Sequence, residues 1–342
     1  MGWAMRLFVG VCLAMVVSLC AVAQTPEAPE LLNKSLFDIG GRRINLVCIG
    51  HGPPVAVFLY GGDANLLDWQ PVQEPASRIT KTCFYDPAGF GYSDPSPRPM
   101  TADNVVDDLH AALGRAKLRG RYVLVGHSAG GLYATLYADR YLSDVAGLVL
   151  IDPQFAGSAE REIGMTAAER SYFKAAVKRG SAHLLFCADL AARGKLSIAD
   201  PHGCFQFAAG RTPEEIAYLA DQYTKPFRYE SLRSEGANYE AFETGTSEDS
   251  REEARAAHSF GDIPMIVLTR GLVDPDPGYT AAEEQASYQF WKKGHDALAR
   301  RSTRGESIVV PNTSHTIQLD QPQAVIDAIR NVVSQVRASP AH

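Results

Sequence analysis

The 342-residue chain has an ordinary apolar share, 46%, and a modest acidic excess of 39 acidic over 33 basic side chains. That length suits one large domain or two smaller ones, and the apolar share supplies a sizeable core. Without a basic excess or a basic run, nucleic acid is excluded as a partner and anionic partners are not steered in from a distance.

At the start, Arg6 precedes the apolar run Leu7–Leu19, too short for an ordinary membrane-spanning helix, and Ala21-Val22-Ala23 supplies an A-x-A cleavage pattern. Residues 1–23 therefore read as a secretory signal peptide, which places the mature chain in the periplasm or outside the cell, with no membrane span left. The competing readings are an uncleaved anchor and lipid attachment at Cys20, the latter disfavoured by the bulk of Leu19. Cleavage removes Cys12 and Cys20 and leaves Cys48, Cys83, Cys187 and Cys204. Four cysteines in an exported chain point to two disulfides, against the alternative of four buried thiols. Cys48 and Cys83 lie in strand-like runs, and opposed residues of neighbouring antiparallel strands come within disulfide reach. That pair is favoured, and Cys187 joins Cys204 by remainder.

After a polar lead over Gln24–Glu30, strands are expected at Leu36–Ile39, Ile44–Ile49 and Val55–Tyr60, separated by glycine- and proline-bearing turns. The third ends in the glycine-rich loop Tyr60-Gly61-Gly62-Asp63, followed by a helix over Gln70–Ile79 and a strand over Thr82–Tyr85. A helix capped near Thr101 carries apolar residues at helical spacing to Leu118. The run Tyr122-Val-Leu-Val then ends in Gly126-His127-Ser128-Ala129-Gly130, and an alanine-rich helical stretch follows to Arg140. Serine is thereby placed on a strand-to-helix turn, the nucleophile elbow, where side chains at Gly126 and Gly130 would collide with neighbouring backbone. Val145–Ile151 is a further strand and ends at Asp152-Pro153. Strands alternating with helices predict a mainly parallel sheet covered on both faces.

Between Gln154 and Asp262 the alternation gives way to helices, with capping boxes at Thr166–Glu169 and Thr212–Glu215. A helical block between two sheet strands reads as a cap over the sheet's carboxyl edge, where ligands bind in such folds. The bland alternative is a surface insertion that touches no substrate. The expected division is core over 24–153, cap over 154–262 and core again over 263–337. In that last part come a strand at Pro264–Arg270, then Gly271-Leu-Val-Asp274, a helix over Glu283–Arg301, a strand over Glu306–Val310, His315, and a helix over Pro322–Val336.

Ser128, Asp274 and His315 thus follow one another as nucleophile, acid and base. With Asp86-x-x-Gly-x-Gly-x-Ser93 and His315-Thr-Ile-Gln-Leu-Asp-Gln-Pro322, the chain resembles the α/β-hydrolase superfamily, in its cap-bearing branch, over nearly all of its mature length. The resemblance implies an α/β fold with an eight-stranded, mainly parallel sheet and a helical cap inserted after the sixth strand. It also implies a serine hydrolase without metal or cofactor, in which His315 takes the Ser128 proton and a buried carboxylate fixes the imidazole. Asp274 is favoured for that carboxylate. Asp152, where some family members carry the acid, and Asp276 compete with it. The oxyanion hole is expected from the amides of Ala129 and Gly62, although Tyr60 stands where many relatives have histidine.

His127 reads as packing or support beside the nucleophile, Trp69 as core more than pocket lining, and Asp86 as a turn former. His110, His183, His202, His258 and His295 show no metal-ligand spacing. Serine at the elbow argues against the dehalogenases and epoxide hydrolases of this fold, which use aspartate there. The leading expectation is a secreted carboxylic ester hydrolase acting on a small-molecule ester or amide. An exopeptidase resembling proline iminopeptidases and a non-catalytic ligand-binding protein are the alternatives.

Overall fold

The runs rich in Val, Ile, Leu and Phe become one eight-stranded sheet in a computed structural model, which describes residues 32–62, 65–118, 120–158, 167–205, 210–239, 246–273 and 279–339. The first half of the chain supplies β1 (Leu36–Asp38), β2 (Arg43–Ile49), β3 (Val55–Leu59), α1 (Gln70–Ser77), β4 (Thr82–Tyr85), α2 (Ala102–Arg115), β5 (Tyr122–His127), α3 (Ala129–Arg140) and β6 (Val145–Ile151). Then come α4 (Ala167–Ala192), α5 (Pro213–Tyr223), α6 (Pro226–Tyr239) and α7 (Glu248–Ala256), followed by β7 (Met265–Arg270), α8 (Ala281–Ala299), β8 (Gly305–Val310), α9 (Ile317–Asp320) and α10 (Pro322–Ala338).

Strand order is β1-β2-β4-β3-β5-β6-β7-β8, with β2 antiparallel to both its neighbours and every pair from β4 onward parallel. The central strands β3, β5 and β6 are buried at every residue, as expected of parallel strands covered on both faces. One apolar layer gathers α2, α3 and α8 residues such as Leu109, Leu136 and Leu298; the other gathers Val72 of α1 and Val325, Ile329 and Val332 of α10. The expected sheet, its order of elements and the helical cap-like block between β6 and β7 are all present.

Capping explains where several helices begin. Thr212 and Glu215 form the reciprocal box that starts α5, with Pro213 in its first turn. The N-terminus of α2 is also held from α7, because Asp249 Oδ1 accepts the Ala102 N–H at 2.8 Å and Glu252 Oε2 accepts the Asp103 N–H at 2.7 Å. Two side-chain carboxyl oxygens thus satisfy orphan donors in the first turn of the helix and tie the cap-like block to the core.

Cys48 and Cys83 are register partners on β2 and β4 and are joined, and Cys187 at the end of α4 is joined to Cys204. Both favoured pairings are therefore formed. His183 lies beside the second disulfide, 3.5 Å from Cys187 Sγ; with both sulfurs bonded, no thiolate is offered to a metal there. Among the described residues no helix is long and apolar enough to cross a membrane. The expected signal peptide, Thr166 of the first capping box, Asp274 and Asp276 lie outside the described residues.

Candidate active site

β5 delivers Ser128 to the carboxyl edge of the sheet in a backbone conformation, φ +53° and ψ −122°, that side-chain-bearing residues rarely adopt. The surrounding backbone enforces it. Ser128 N–H donates to Ile151 O at 3.1 Å, and Ser128 O accepts from Gly131 and Gln154 N–H at 2.9 and 3.0 Å. A Cβ at Gly126 would lie 2.4 Å from Gly130 O, and one at Gly130 would lie 2.2 Å from Leu59 O, so β5 and α3 close on each other only through glycine. Among the described residues the Ser128 hydroxyl has no hydrogen-bond partner. Such catalytic contacts commonly tighten only when substrate is bound.

His315 follows β8, and its Nδ1 is hydrogen-bonded to Asp152 Oδ2 at 2.6 Å. Asp152 sits at the end of β6, fully buried, with φ +40°. Its N–H donates to Leu268 O at 2.7 Å, which turns the carboxylate across the end of β7 toward the loop after β8. Oδ1 accepts the Arg270 N–H and the Trp291 Nε1–H, both at 3.0 Å, and Oδ2 also accepts Arg270 Nη1 at 2.7 Å. Burial pushes this carboxyl up, but the His315 hydrogen bond and the Arg270 charge outweigh it and hold the group below the usual carboxylate range. The sequence favoured Asp274 over Asp152 for this place. Among the described residues the carboxylate found on His315 is Asp152, and its Asp-Pro turn is what aims it.

Two further histidines support the site. His127 Nε2 is 2.9 Å from the His315 carbonyl, and the two rings are 4.8 Å apart. Burial pushes His127 down to about 3, so the ring is neutral near pH 7, Nε2 carries the proton and donates, and Nδ1 is the bare nitrogen. His295, fully buried, bridges Pro153 O at 2.9 Å and the Thr269 hydroxyl at 2.7 Å; burial pushes it down to about 4. His127 is therefore support, as expected, and His295 braces the turn that carries Asp152.

On the opposite side, Gly61 lies against the elbow: a Cβ there would be 2.9 Å from Ser128 Cβ and 3.1 Å from His127 Nδ1. Gly62 follows and is exposed, while Ala129 opens α3 directly after the serine. Tyr60 anchors this loop from beneath. Its hydroxyl donates to the buried Asp86, which also accepts Asn45 Nδ2 at 2.8 Å and the Tyr92 N–H at 2.9 Å. Trp69 is fully buried and meets Phe58 edge-on, so it is core. From α6, Glu235 reaches the same loop: Oε1 accepts the Tyr133 hydroxyl at 2.9 Å, and Oε2 is 3.2 Å from where a Gly62 Cβ would stand. Sequence reasoning missed Glu235, Arg270 and Trp291, because no local spacing marks them; strand register and helix packing bring them in.

A serine at a helix start, an imidazole held by a buried carboxylate and backbone amides on two sides are the parts used in acyl transfer. A relative in Schizosaccharomyces pombe, an uncharacterized protein, is 29% identical over 260 residues, 74% of this chain and 40% of its own length, so this chain spans about two fifths of that protein. The uncharacterized protein YqjL of Bacillus subtilis is 24% identical over 81% of this chain and 82% of its own length. Among solved structures, a thermophilic esterase from Thermogutta terrifontis superposes with a TM-score of 0.55 at 20% identity, covering 89% of this chain and 99% of that one, which bears on the fold alone. The model of the alpha/beta hydrolase family matches residues 46–328, more than half of the chain, and the protein belongs to that family.

Proposed function

We propose that the protein is an exported serine hydrolase that cleaves carboxylic esters through an acyl-enzyme, with Ser128 as nucleophile, His315 as base and Asp152 as the acid. The observation that carries this reading is the Asp152–His315 hydrogen bond at the same sheet edge as the strained Ser128. Ser128 Oγ attacks the ester carbonyl as His315 Nε2 takes its proton, while Asp152 stabilises the imidazolium. The amides of Ala129 and Gly62 receive the oxyanion. His315 then returns the proton to the leaving alcohol, and water, deprotonated by the same ring, releases the acid. Two disulfides support export, since such bonds persist in oxidising compartments.

One observation favours the exopeptidase alternative. Glu235 puts a carboxylate of the cap-like block beside Gly62, where a substrate ammonium would find it. The test is hydrolysis of a short-to-long series of acyl esters and a panel of aminoacyl amides by the mature protein and by Ser128→Ala. Ester turnover lost in the variant supports the esterase. Amide turnover that exceeds ester turnover and falls in Glu235→Gln moves the assignment to the exopeptidase, and turnover of neither leaves a ligand-binding protein on this fold.

A further inference from the structure

β3 hands the chain to the glycine loop at Tyr60. Its register ends at Phe58 on the β4 side and at Leu59 on the β5 side, so the backbone of Tyr60 lies past the sheet ladder. Gly61 and Gly62 follow, and glycine has no steric preference with which to hold an amide in one direction. That direction has to come from the flanking residues. Beyond the loop, Asn65 and Asp68 form a reciprocal box, in which Asn65 Oδ1 accepts the Leu67 N–H at 2.9 Å and Asp68 Oδ2 accepts the Asn65 N–H at 3.0 Å. Before it, the buried Tyr60 side chain donates its hydroxyl to Asp86 Oδ1.

Asp86 is itself fixed by two other segments. Its Oδ2 accepts Asn45 Nδ2 from β2 at 2.8 Å and the Tyr92 N–H from the loop after β4 at 2.9 Å, which leaves Oδ1 for Tyr60. Its N–H donates to Asn45 O at 3.1 Å, and the Ser93 hydroxyl donates to its carbonyl at 2.6 Å. A Cβ at Gly91 would stand 2.0 Å from Asp86 Oδ2, so the loop after β4 closes on the carboxylate only through glycine. On the other side, the Tyr60 carbonyl lies against the first turn of α3, where a Cβ at Gly130 would come within 2.7 Å of it. Tyr60 is thus held between a rigid acceptor and the helix that starts at Ser128, and the residue after it, Gly61, lies against Ser128 Cβ. Phenylalanine would fill the same volume. The hydroxyl adds a fixed bearing.

We propose that Tyr60, through its hydrogen bond to Asp86, is a positioning residue for the oxyanion loop: it keeps the Gly62 amide aimed at the oxygen that becomes charged, and so acts on the transition state and not on substrate binding. The proposal rests on the serine-hydrolase reading. A donor set in place before the charge develops needs no reorganisation when the charge arrives, which is where such donors gain their effect.

The test compares the parent with Tyr60→Phe, which removes only the hydroxyl, and with Tyr60→Met, read in whichever variant folds. Ester turnover gives kcat and KM. Calorimetry gives the affinity for a trifluoromethyl ketone and for the matching secondary alcohol. Ser128 Oγ adds to the ketone carbon, its proton passes to His315 and the ketone oxygen becomes the oxyanion, whereas the alcohol binds without that step. Full loss of one oxyanion donor costs about 10²–10³ in kcat, so a misaimed one is expected to cost at least about ten-fold. The expected result is that fall in kcat with KM within about three-fold, an equal fall in ketone affinity, and alcohol affinity within about three-fold. A smaller fall in kcat, a fall that ketone affinity does not share, or ketone and alcohol weakening alike would show a packing role only and overturn the proposal. A parent that neither turns over esters nor forms the ketone adduct removes the hydrolase reading and this proposal with it; an active parent matched by its variants removes this proposal alone.

Discussion

Replacing Asp152 by asparagine is the perturbation whose outcome the structure fixes most tightly. The carboxylate accepts four hydrogen bonds, two on each oxygen. An amide offers one acceptor oxygen and one NH2 group, so either orientation sets the NH2 against two donors. Turned toward His315, it forces Nδ1 to accept, moves the ring proton to Nε2 and leaves nothing to receive the serine proton. Turned the other way, it opposes the Arg270 amide and the Trp291 indole and loosens the strand end. The wrong tautomer costs a factor of about 10⁴ in kcat where such a change has been made in a comparable relay. Stability falls too, because the ion pair between Asp152 and the largely buried Arg270 is broken, a loss on the order of 3–5 kcal/mol. The assay is kcat for the best ester alongside denaturant unfolding, with Asp274→Asn as the control. The expected outcome is a collapse of activity in Asp152→Asn and less than a ten-fold change in Asp274→Asn. Asp152→Asn within ten-fold of the parent, or Asp274→Asn as damaging, would refute the assignment of the acid.

Gly130→Ala should both destabilise and inactivate, since its Cβ would stand 2.2 Å from Leu59 O and only backbone movement can relieve that contact; the expected loss is about 2 kcal/mol or more by denaturant unfolding, and a stable, active variant would contradict the description of the elbow. Burial pushes Asp249 up to about 8. The folded protein then keeps a proton that the unfolded chain releases from about pH 4 upward, so this residue's contribution is greatest at low pH and is lost as pH rises toward 8. Asp249→Asn should therefore gain on the parent by several degrees in Tm between pH 5 and 9, and a constant or shrinking difference would count against the buried, protonated carboxyl. Removing the Cys187–Cys204 bridge by a double substitution to alanine frees a loop of sequence separation 17, with an expected cost of about 3 kcal/mol and a lower Tm; an unchanged Tm would contradict a bridge formed in the folded protein.

Most of the fold was legible because its signals are local. Apolar runs marked the strands, turns rich in glycine marked their ends, and the Thr212–Glu215 box marked the start of α5. Ends were less legible: α8 begins at Ala281 where the sequence pointed to Glu283, because the Thr280–Glu283 box sets it, and α10 runs on to Ala338 past the expected Val336. Ser128 and His315 were readable from a motif and from order along the chain. The described partner of His315 was not, since Asp152 and Asp274 both follow sheet strands in the sequence, and it is the placement of β6 beside β7 that brings Asp152 to the imidazole. Arg270 and Glu235 were hidden for the same reason. Their significance depends on what another element places within about 3 Å of them.

Covalent labelling asks most directly whether Ser128 is a nucleophile activated by His315. Folded protein would be treated with a serine-directed phosphonate, digested, and mapped by mass spectrometry, with Ser128→Ala and His315→Gln alongside. One adduct is expected on the peptide bearing Ser128, none in Ser128→Ala, and strongly slowed labelling in His315→Gln. Absence of an adduct on folded parent protein, or an adduct on another serine that survives Ser128→Ala, would rule out Ser128 as the activated nucleophile.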